Sequence, residues 1–280
     1  MSRNPNSDSR SLERLREHYL IEKELADRLR NSNRTQRRQA YQTVYDELFL
    51  RVPDHPQLTL KHNPLLKHQE VSQRMRLLNR YLDADTSCLE IGSGDCALAI
   101  ETAKRVRKVY AVDVSQEIAK DVVLPANLEL IISDGCSIPV PENSINLAYS
   151  DQLMEHLHPD DAMDQLQNIY KALVPGGVYI CITPNRLSGP HDVSQYFDDV
   201  ATGFHLKEYT LTELMKIFRS VGFREFQVLV GARGSHLPVP TMLPQALEFL
   251  LESAGGRFGR KLARRLPLRL ILGMKLIAWK

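Results

Sequence analysis

The chain has 280 residues, of which 36 are Lys or Arg, 34 are Asp or Glu and 43% are hydrophobic. This composition is that of an ordinary globular protein and excludes a collagen, a coiled-coil array or a disordered chain. The four cysteines form no C-x-x-C pair, so neither a zinc module nor a disulfide framework is predicted. We find no apolar signal core and no uncharged run long enough to span a bilayer, and therefore expect a cytoplasmic protein.

The net charge of +2 is unevenly distributed. Residues 1–40 carry ten basic and six acidic side chains, residues 257–280 carry eight basic and no acidic ones, and the 216 residues between them carry 18 basic and 28 acidic ones. The middle is thus net −10 (18 − 28), which argues against a broad nucleic-acid-binding face there. The basic end also contains many leucines, so one interpretation of it is an interfacial anchor for anionic lipid with Trp279 at the headgroups.

Three helices are predicted in the first third of the chain. After a polar stretch, residues 1–10, that we expect to be disordered, leucines recur at helical spacing from Leu12 to Leu29. Two further helices are predicted over Thr35–Leu50 and Val71–Leu82, the first of them ended by prolines. We expect residues 1–78 to form a helical cap and residues 79–280 to form one large domain.

From residue 86 onward, short β-branched runs alternate with helical stretches. The predicted strands are Thr86–Ile91, Val109–Asp113, Leu128–Ser133, Ile145–Ser150, Val178–Thr183, Glu225–Val230 and Met274–Trp279. The predicted helices are Ala97–Arg105, Ala162–Leu173, Thr212–Val221 and Pro244–Leu262. This alternation is typical of a parallel sheet covered by helices, so we predict a doubly wound, Rossmann-like α/β fold with seven strands.

The first predicted strand breaks into a glycine turn at Gly92-Ser93-Gly94 and then enters a helix. Glycines at this place let the backbone pass close to a ligand, and the helix offers free N–H groups. Asp113 ends the second strand 21 residues beyond Gly92, where its carboxylate can accept hydrogen bonds from both hydroxyls of a ribose. The pair predicts a site for an adenosine-containing ligand, and the spacing also fits a nicotinamide-dinucleotide fingerprint.

Five motifs in order separate these alternatives. They are Glu90-x-Gly92-x-Gly94, Asp113, Ser133-Asp134-Gly135, the run from Tyr149 to Leu157, and Leu173-Val-Pro-Gly-Gly177. Together they resemble the class I S-adenosylmethionine-dependent methyltransferases over residues 70–230, whereas a dehydrogenase explains only the first two. The resemblance also favours Met274–Trp279 as the last, antiparallel strand of such a sheet, with residues 232–272 inserted before it.

The resemblance implies a role for each motif in holding S-adenosylmethionine. The loop of Gly92, Ser93 and Gly94 would lie under the methionine end of the donor. Glu90 and Asp95 would hold the polar groups of that end. Asp113, with Val114 beside it, would hold the ribose. The residues implied around the adenine are Asp134, Gly135 and Cys136. Ser150 and Gln152 would line the floor near the sulfonium.

A loop of about 20 residues follows the fifth strand, and we interpret it as a lid that faces the methyl acceptor. Its candidate general bases are His191, Asp192 and His205, because a neutral imidazole has a pKa near neutrality. Some metal-dependent relatives carry Glu-x-x-Glu-His after strand four and a downstream His. Here Gln152, Glu155, His156 and His205 occupy those places, but Gln152 replaces a carboxylate that a hard cation would use, so we predict no metal.

We therefore predict a methyltransferase that uses S-adenosylmethionine to methylate a small molecule, at oxygen. One alternative is metal-assisted methylation of an RNA or sugar hydroxyl. A second is a protein that binds the donor without turnover, and a third is a nicotinamide oxidoreductase. We expect a small-molecule acceptor and no nucleic-acid partner, with peripheral membrane contact through the basic C-terminal segment as a further expectation.

Overall fold

The computed structural model describes residues 10–61, 63–115, 122–231 and 234–280. Most of the stretch predicted to be disordered, residues 1–9, lies outside the described residues, as do two residues of the predicted insertion. Among the helices that are described, none has both the length and the apolar character needed to cross a bilayer. The four cysteines are free and buried.

The described residues form ten α-helices and one mixed sheet. The helices are α1 (Leu12–Asn31), α2 (Arg34–Arg51), α3 (Pro56–Lys61), α4 (Pro64–Leu78), α5 (Ala97–Ala103), α6 (Pro159–Ala172), α7 (Leu211–Val221), α8 (Met242–Ser253), α9 (Gly256–Ala263) and α10 (Leu268–Ile271). The strands are β1 (Ser87–Ile91), β2 (Lys108–Asp113), β3 (Leu128–Ile132), β4 (Ile145–Asp151), β5 (Leu173–Thr183), β6 (Glu225–Val230), β7 (Leu237–Val239) and β8 (Met274–Trp279).

The sheet has the order β3-β2-β1-β4-β5-β8-β6-β7. Strands β1 to β5 are parallel, and β8 is antiparallel to both β5 and β6. The Rossmann-like α/β prediction is confirmed, but the prediction of seven strands is wrong by one. The additional strand β7 has only three residues, includes Pro238 and pairs at the edge with β6, so it lacks the length and alternation that identify a strand from sequence.

The segment between β6 and β8 departs from the predicted single helix Pro244–Leu262. It forms β7 and the helices α8, α9 and α10, and the break between α8 and α9 falls at Gly255, whose φ is +79°. Glycine adopts this left-handed region without a steric cost, and a helix commonly ends there. Trp279 lies in β8 opposite Val178 and is partly buried against the core, so Met274–Trp279 is the antiparallel strand that the sequence predicts.

A buried ion pair joins the N-terminal helices to the sheet domain. Arg37 of α2 donates two hydrogen bonds to the Asp161 carboxylate of α6, with Nε–Oδ2 2.5 Å and Nη2–Oδ1 3.1 Å. The Tyr41 hydroxyl also donates to Asp161 at 3.0 Å and accepts from the His158 N–H at 2.9 Å. These contacts lay α2 across the carboxyl ends of the strands, where Gln42 donates to the Ser133 carbonyl.

Candidate functional site

The glycine turn after β1 is closed by the carboxylate that ends β2. Asp113 Oδ2 accepts from the Gly94 N–H at 2.7 Å, and Oδ1 accepts from the N–H groups of Val114 and Ser115. Burial raises the pKa of Asp113, although these three hydrogen bonds favour the ionised form. A carboxylate has about four lone-pair positions, so Asp113 keeps acceptor capacity for a ribose hydroxyl while it shapes the loop.

Two acidic residues flank this turn, and each has a basic neighbour. Glu90 precedes the turn, and its burial raises its pKa to about 8 against the attraction of Arg74. Arg74, from α4, is in turn bound to Asp151 at the end of β4, with Nε–Oδ2 2.8 Å. Asp95 pairs with Lys67, also from α4, at 2.6 Å. Sequence reasoning misses both basic partners because no motif surrounds them in the cap.

The turn after β3 is the place that the resemblance assigns to the adenine. Asp134 Oδ1 accepts from the N–H groups of Cys136 and Ser137. Burial opposes ionisation of Asp134, but these hydrogen bonds outweigh it and lower the pKa. Gly135 has φ +85°, and a Cβ atom placed on it would lie 3.0 Å from the Tyr41 ring. Helix α2 therefore closes directly over this turn.

The end of β4 supplies the predicted floor of the site. Ser150 is fully buried, and its hydroxyl is hydrogen-bonded to the Tyr179 hydroxyl at 2.8 Å. Gln152 is exposed and has φ +55°, and its N–H donates to the carbonyl of Ile182. Leu153 packs against Gly92, where an added Cβ would be 3.2 Å from it. The ends of β1 and β4 thus meet at the point where the strand order reverses, which is where ligands bind in such sheets.

The loop after β5 is organised by one carboxylate that the sequence reasoning did not select. Glu208 accepts from the His191 N–H at 2.7 Å and from His205 Nδ1 at 2.7 Å. Asp192 accepts from the N–H groups of Ser194 and His205, so both of its oxygens hold the loop. The candidate bases His191, Asp192 and His205 are therefore close neighbours in one network, and the signal that points to Glu208 is its spacing of three residues from His205.

Three potential metal ligands converge between this loop and the end of β4. Ligand atoms of Glu155, His156 and His205 all lie within 4.8 Å of one another. The Glu155 Oε2 atom accepts from the Thr183 hydroxyl at 2.9 Å, whereas Oε1 is buried and has no hydrogen-bond partner. A buried carboxylate oxygen without a partner is costly, so this atom points to a ligand.

The histidine hydrogen bonds in this cluster use the Nδ1 atoms, so in the neutral form of each ring the Nε2 atom can accept. His156 Nδ1 is 3.1 Å from the Phe204 carbonyl, which can only accept, so Nδ1 carries the proton. His205 Nδ1 is 2.7 Å from Glu208, a carboxylate that also accepts. Metal-binding histidines are commonly oriented in this way, with one ring nitrogen donating to an oxygen and the other facing the metal.

Burial and neighbouring charges shift the three pKa values in different directions. Burial raises the pKa of Glu155 to about 7 and lowers that of His156 to about 3. Burial also disfavours the charged form of His205, but the hydrogen bond to Glu208 and the charge of Glu155 outweigh this and raise its pKa to about 9. At neutral pH, His205 is therefore mainly protonated on both ring nitrogens, and a cation that binds its Nε2 atom would displace the proton there. The ring of Tyr45 from α2 lies over the cluster, 6.1 Å from that of His156.

The sequence of this chain is similar to those of known methyltransferases. A sequence model of a methyltransferase domain family matches residues 88–177. A "Probable S-adenosylmethionine-dependent methyltransferase" of Mycolicibacterium smegmatis is 27% identical over 172 residues, which are 61% of this chain and 63% of that protein. The alignment thus covers less than two thirds of that relative.

Solved structures with this fold include several methyltransferases. An S-adenosylmethionine-dependent methyltransferase from Archaeoglobus fulgidus has a TM-score of 0.50 at 19% identity and covers 76% of this chain and 94% of its own. Phosphoethanolamine N-methyltransferase 1 of Haemonchus contortus, bound to phosphoethanolamine and S-adenosylhomocysteine, has a TM-score of 0.57 at 16% identity and covers 89% of this chain and 50% of its own. These likenesses establish the fold.

Two features define a Rossmann-like methyltransferase domain. One is the sheet order, in which β8 lies antiparallel between β5 and β6, and the other is the glycine turn that faces Asp113. The matched family model and the sequence relative agree with this class. Residues 88–177 therefore carry a methyltransferase domain that is similar in sequence to S-adenosylmethionine-dependent methyltransferases, and this similarity supports S-adenosylmethionine as the cofactor.

Proposed function

We propose that this protein transfers a methyl group from S-adenosylmethionine to an oxygen atom of a small molecule. The observation that carries the proposal is the convergence of two features at the switch point of the sheet. One is the Gly92–Gly94 turn closed by Asp113, which suits the donor. The other is the buried group of Glu155, His156 and His205, which suits an acceptor that must lose a proton.

Methyl transfer from a sulfonium is an in-line displacement with an activated leaving group, so the protein mainly positions the two reactants and excludes water. Helix α2 supports this role because Tyr41 covers the Gly135 turn and Tyr45 lies over the buried histidines. A hydroxyl acceptor also needs a proton acceptor. Asp192 is occupied by the loop backbone, whereas Glu155 has an oxygen without a hydrogen-bond partner and a pKa that burial raises to about 7, so Glu155 is a further candidate base beside those predicted from the sequence.

Binding of the donor is tested by calorimetric titration of the chelator-treated protein with S-adenosylmethionine, S-adenosylhomocysteine and NADH. We expect the two adenosyl ligands to bind and NADH to give no heat. Asp113→Ala should weaken both, whereas Asp85→Ala, a change of an exposed carboxylate before β1, should leave them unaltered. Binding of NADH alone would assign the site to an oxidoreductase, and donor binding without turnover on any acceptor fraction would indicate a scaffold.

The atom that receives the methyl group is tested with donor carrying a ¹³C-labelled methyl group. The protein is incubated with fractionated small-molecule extracts, and the chemical shift of the transferred carbon is read by NMR. The carbon shift is combined with the shift of the attached protons and with long-range carbon–proton correlations, which together identify the atom that carries the new methyl group. A methyl signal in the nitrogen or carbon range would refute the assignment to oxygen while leaving the donor site intact.

A second candidate function, metal-assisted methylation of a hydroxyl, is favoured by the unpartnered Oε1 atom of Glu155. Glu155, His156 and His205 would hold the cation through one carboxylate oxygen and two Nε2 atoms. A bound cation would lower the pKa of a coordinated hydroxyl. The set has one carboxylate and two imidazoles, which suits Mn²⁺, Fe²⁺ or Zn²⁺ better than Mg²⁺.

Titration of the chelator-treated protein with Mn²⁺, followed by electron paramagnetic resonance, separates the two candidates. We expect one bound ion, lost in Glu155→Ala and in His205→Ala and kept in His68→Ala, which changes an exposed histidine of α4. Gln152→Glu, which restores the carboxylate that the metal-dependent relatives carry at this place of the motif, should tighten the binding. If Mn²⁺ binds no more strongly to the native protein than to Glu155→Ala, the metal-assisted function is excluded.

A further inference from the structure

Helix α8 is apolar on the side that faces solvent. Met242, Leu243, Phe249 and Leu250 are between 59% and 77% exposed, and the exposed Ala246 lies between them in the sequence. With 3.6 residues per turn, these five positions fall within one arc of about 120°. A surface helix normally carries polar residues on this side. The apolar face of α8 therefore indicates a surface that is covered by a binding partner.

The apolar face continues onto neighbouring elements. Leu237 of β7, Phe258 of α9, and Leu266 and Leu270 around α10 are 72%, 67%, 71% and 38% exposed. Among the residues that the structure describes, eight of the 16 exposed large hydrophobic side chains thus lie within residues 237–270. Such a concentration marks an interaction site, because isolated exposed leucines are scattered over most proteins.

The same surface is strongly basic. Residues 257–270 contain five arginines and one lysine and no acidic residue. The side chain of Arg257 is 89% exposed, and Lys261 and Arg265 are exposed as well. A second copy of this chain would bring like charges together, whereas an anionic surface would complement them.

An apolar cavity of about 250 Å³ lies behind this face. It is lined by Val230 and Val239 of β6 and β7, Leu243 and Leu247 of α8, and Leu268 and Ile271 of α10. The cavity gives the exposed apolar side chains room to rearrange or an acyl chain room to enter, which a tightly packed surface would not.

We propose that helices α8 to α10 form a docking surface for an anionic phospholipid bilayer. The apolar side chains of α8 and Phe258 enter the acyl boundary, and the cations of residues 257–270 contact the headgroups. The docking surface is fixed to the loop that follows β5, because Asn185 donates to Glu248 of α8 at 2.7 Å and Arg264 donates to the Gly189 carbonyl at 2.5 Å. A docked bilayer would therefore lie beside the loop that carries His191 and His205.

The proposal is tested by co-sedimentation of the full chain with vesicles. Vesicles of phosphatidylcholine with 30% phosphatidylglycerol are compared with pure phosphatidylcholine at several salt concentrations. We expect binding to the anionic vesicles that weakens with salt. Lys261→Ala combined with Arg265→Ala should reduce partitioning about 30-fold, since each cation near such a surface contributes a factor of about five to ten.

Two further variants separate insertion from simple charge attraction. Phe249→Ser combined with Phe258→Ser should reduce partitioning at least tenfold. The matched controls are Leu50→Ser for an exposed apolar residue of α2, and Arg16→Ala with Lys216→Ala for exposed cations elsewhere. These should bind vesicles like the native chain, and all variants should keep the native circular dichroism spectrum.

Several outcomes would overturn the proposal. They are absence of binding to anionic vesicles, equal losses in the control variants, and a native dimer that Phe249→Ser dissociates, which would assign the surface to a second copy. Binding of single-stranded RNA without vesicle binding would assign the cations to a nucleic acid instead. None of these readouts depends on methyl transfer, so the proposal stands or falls independently of the proposed function.

Discussion

The buried pair between Arg37 and Asp161 should make either single substitution costly, because each charge is buried and depends on the other. The two side chains are only 5% and 0% exposed, and they make a two-fold hydrogen bond. Removing one member leaves an uncompensated buried charge, which costs about 3–5 kcal/mol. Because the free energy of unfolding is about 5–15 kcal/mol in most domains, either single substitution should remove a large fraction of it.

The assay is a double-mutant cycle. The free energy of unfolding is measured by urea titration for the native chain, Arg37→Met, Asp161→Asn and the double variant. We expect each single change to cost about 3 kcal/mol and the double change to cost no more than either single, because the unpaired charge is then absent. A matched control is the exposed pair of Arg28 and Glu47, at 2.5 Å, where Arg28→Met should cost at most about 1 kcal/mol.

Two results would refute this reasoning. Single changes that cost less than about 1 kcal/mol would mean that water reaches the pair. Additive costs in the double variant would mean that Arg37 and Asp161 act independently. The same variants should also affect ligand binding, because the pair holds α2 in place and α2 covers the Gly135 turn through Tyr41. We therefore expect both single variants to bind S-adenosylhomocysteine more weakly than the native chain.

Three further changes test other parts of the structure. Gly135→Ala should cost about 1–2 kcal/mol in urea unfolding, because φ is +85° and the new methyl group would press on Tyr41. Glu248→Ala should cost about 3 kcal/mol and expose α8 to limited proteolysis, because it removes the acceptor of four hydrogen bonds. The pKa of Glu90 is raised from 4.5 to about 8, so the native state binds the extra proton and stability falls as pH rises between these values; Glu90→Gln should lack that slope.

The strands and the glycine turn could be predicted because their signals are local. A buried β-branched run has a characteristic composition, and Gly92 and Gly94 have φ of +74° and +53°, values that favour glycine. The sequence therefore predicts where the donor turn lies and which carboxylate ends β2. The break of the predicted helix Pro244–Leu262 at Gly255 has a local signal too, since two consecutive glycines interrupt it.

Contacts between distant parts of the chain could not be predicted in this way. Arg37 and Asp161 are 124 residues apart, and neither belongs to a motif that would identify the other as its partner. Glu208 is a similar case, because its importance comes from reaching both His191 and His205 in the folded loop. The N-terminal helices and the loop after β5 are held in place by such contacts.

A second group of histidines shows why residue types alone do not define a metal site. His18, Glu22 and His55 are also grouped closely enough for a cation. Arg10 donates to His18 Nδ1 at 3.0 Å and the Gln57 N–H donates to His55 Nδ1 at 3.3 Å, so in both rings Nδ1 accepts and Nε2 is the atom that donates.

These Nε2–H groups point at Glu22, at 2.8 Å from His18 and 3.8 Å from His55. The other Glu22 oxygen accepts from the Phe204 N–H at 3.2 Å, so the carboxylate has partners on both sides. The same Phe204 accepts from His156 through its carbonyl. Phe204 thus joins two groups of potential ligands, one that fastens α1 to the loop and one beside β4. Of these two groups, the one beside β4 contains a buried carboxylate oxygen without a hydrogen-bond partner, and this oxygen distinguishes it as the candidate metal site.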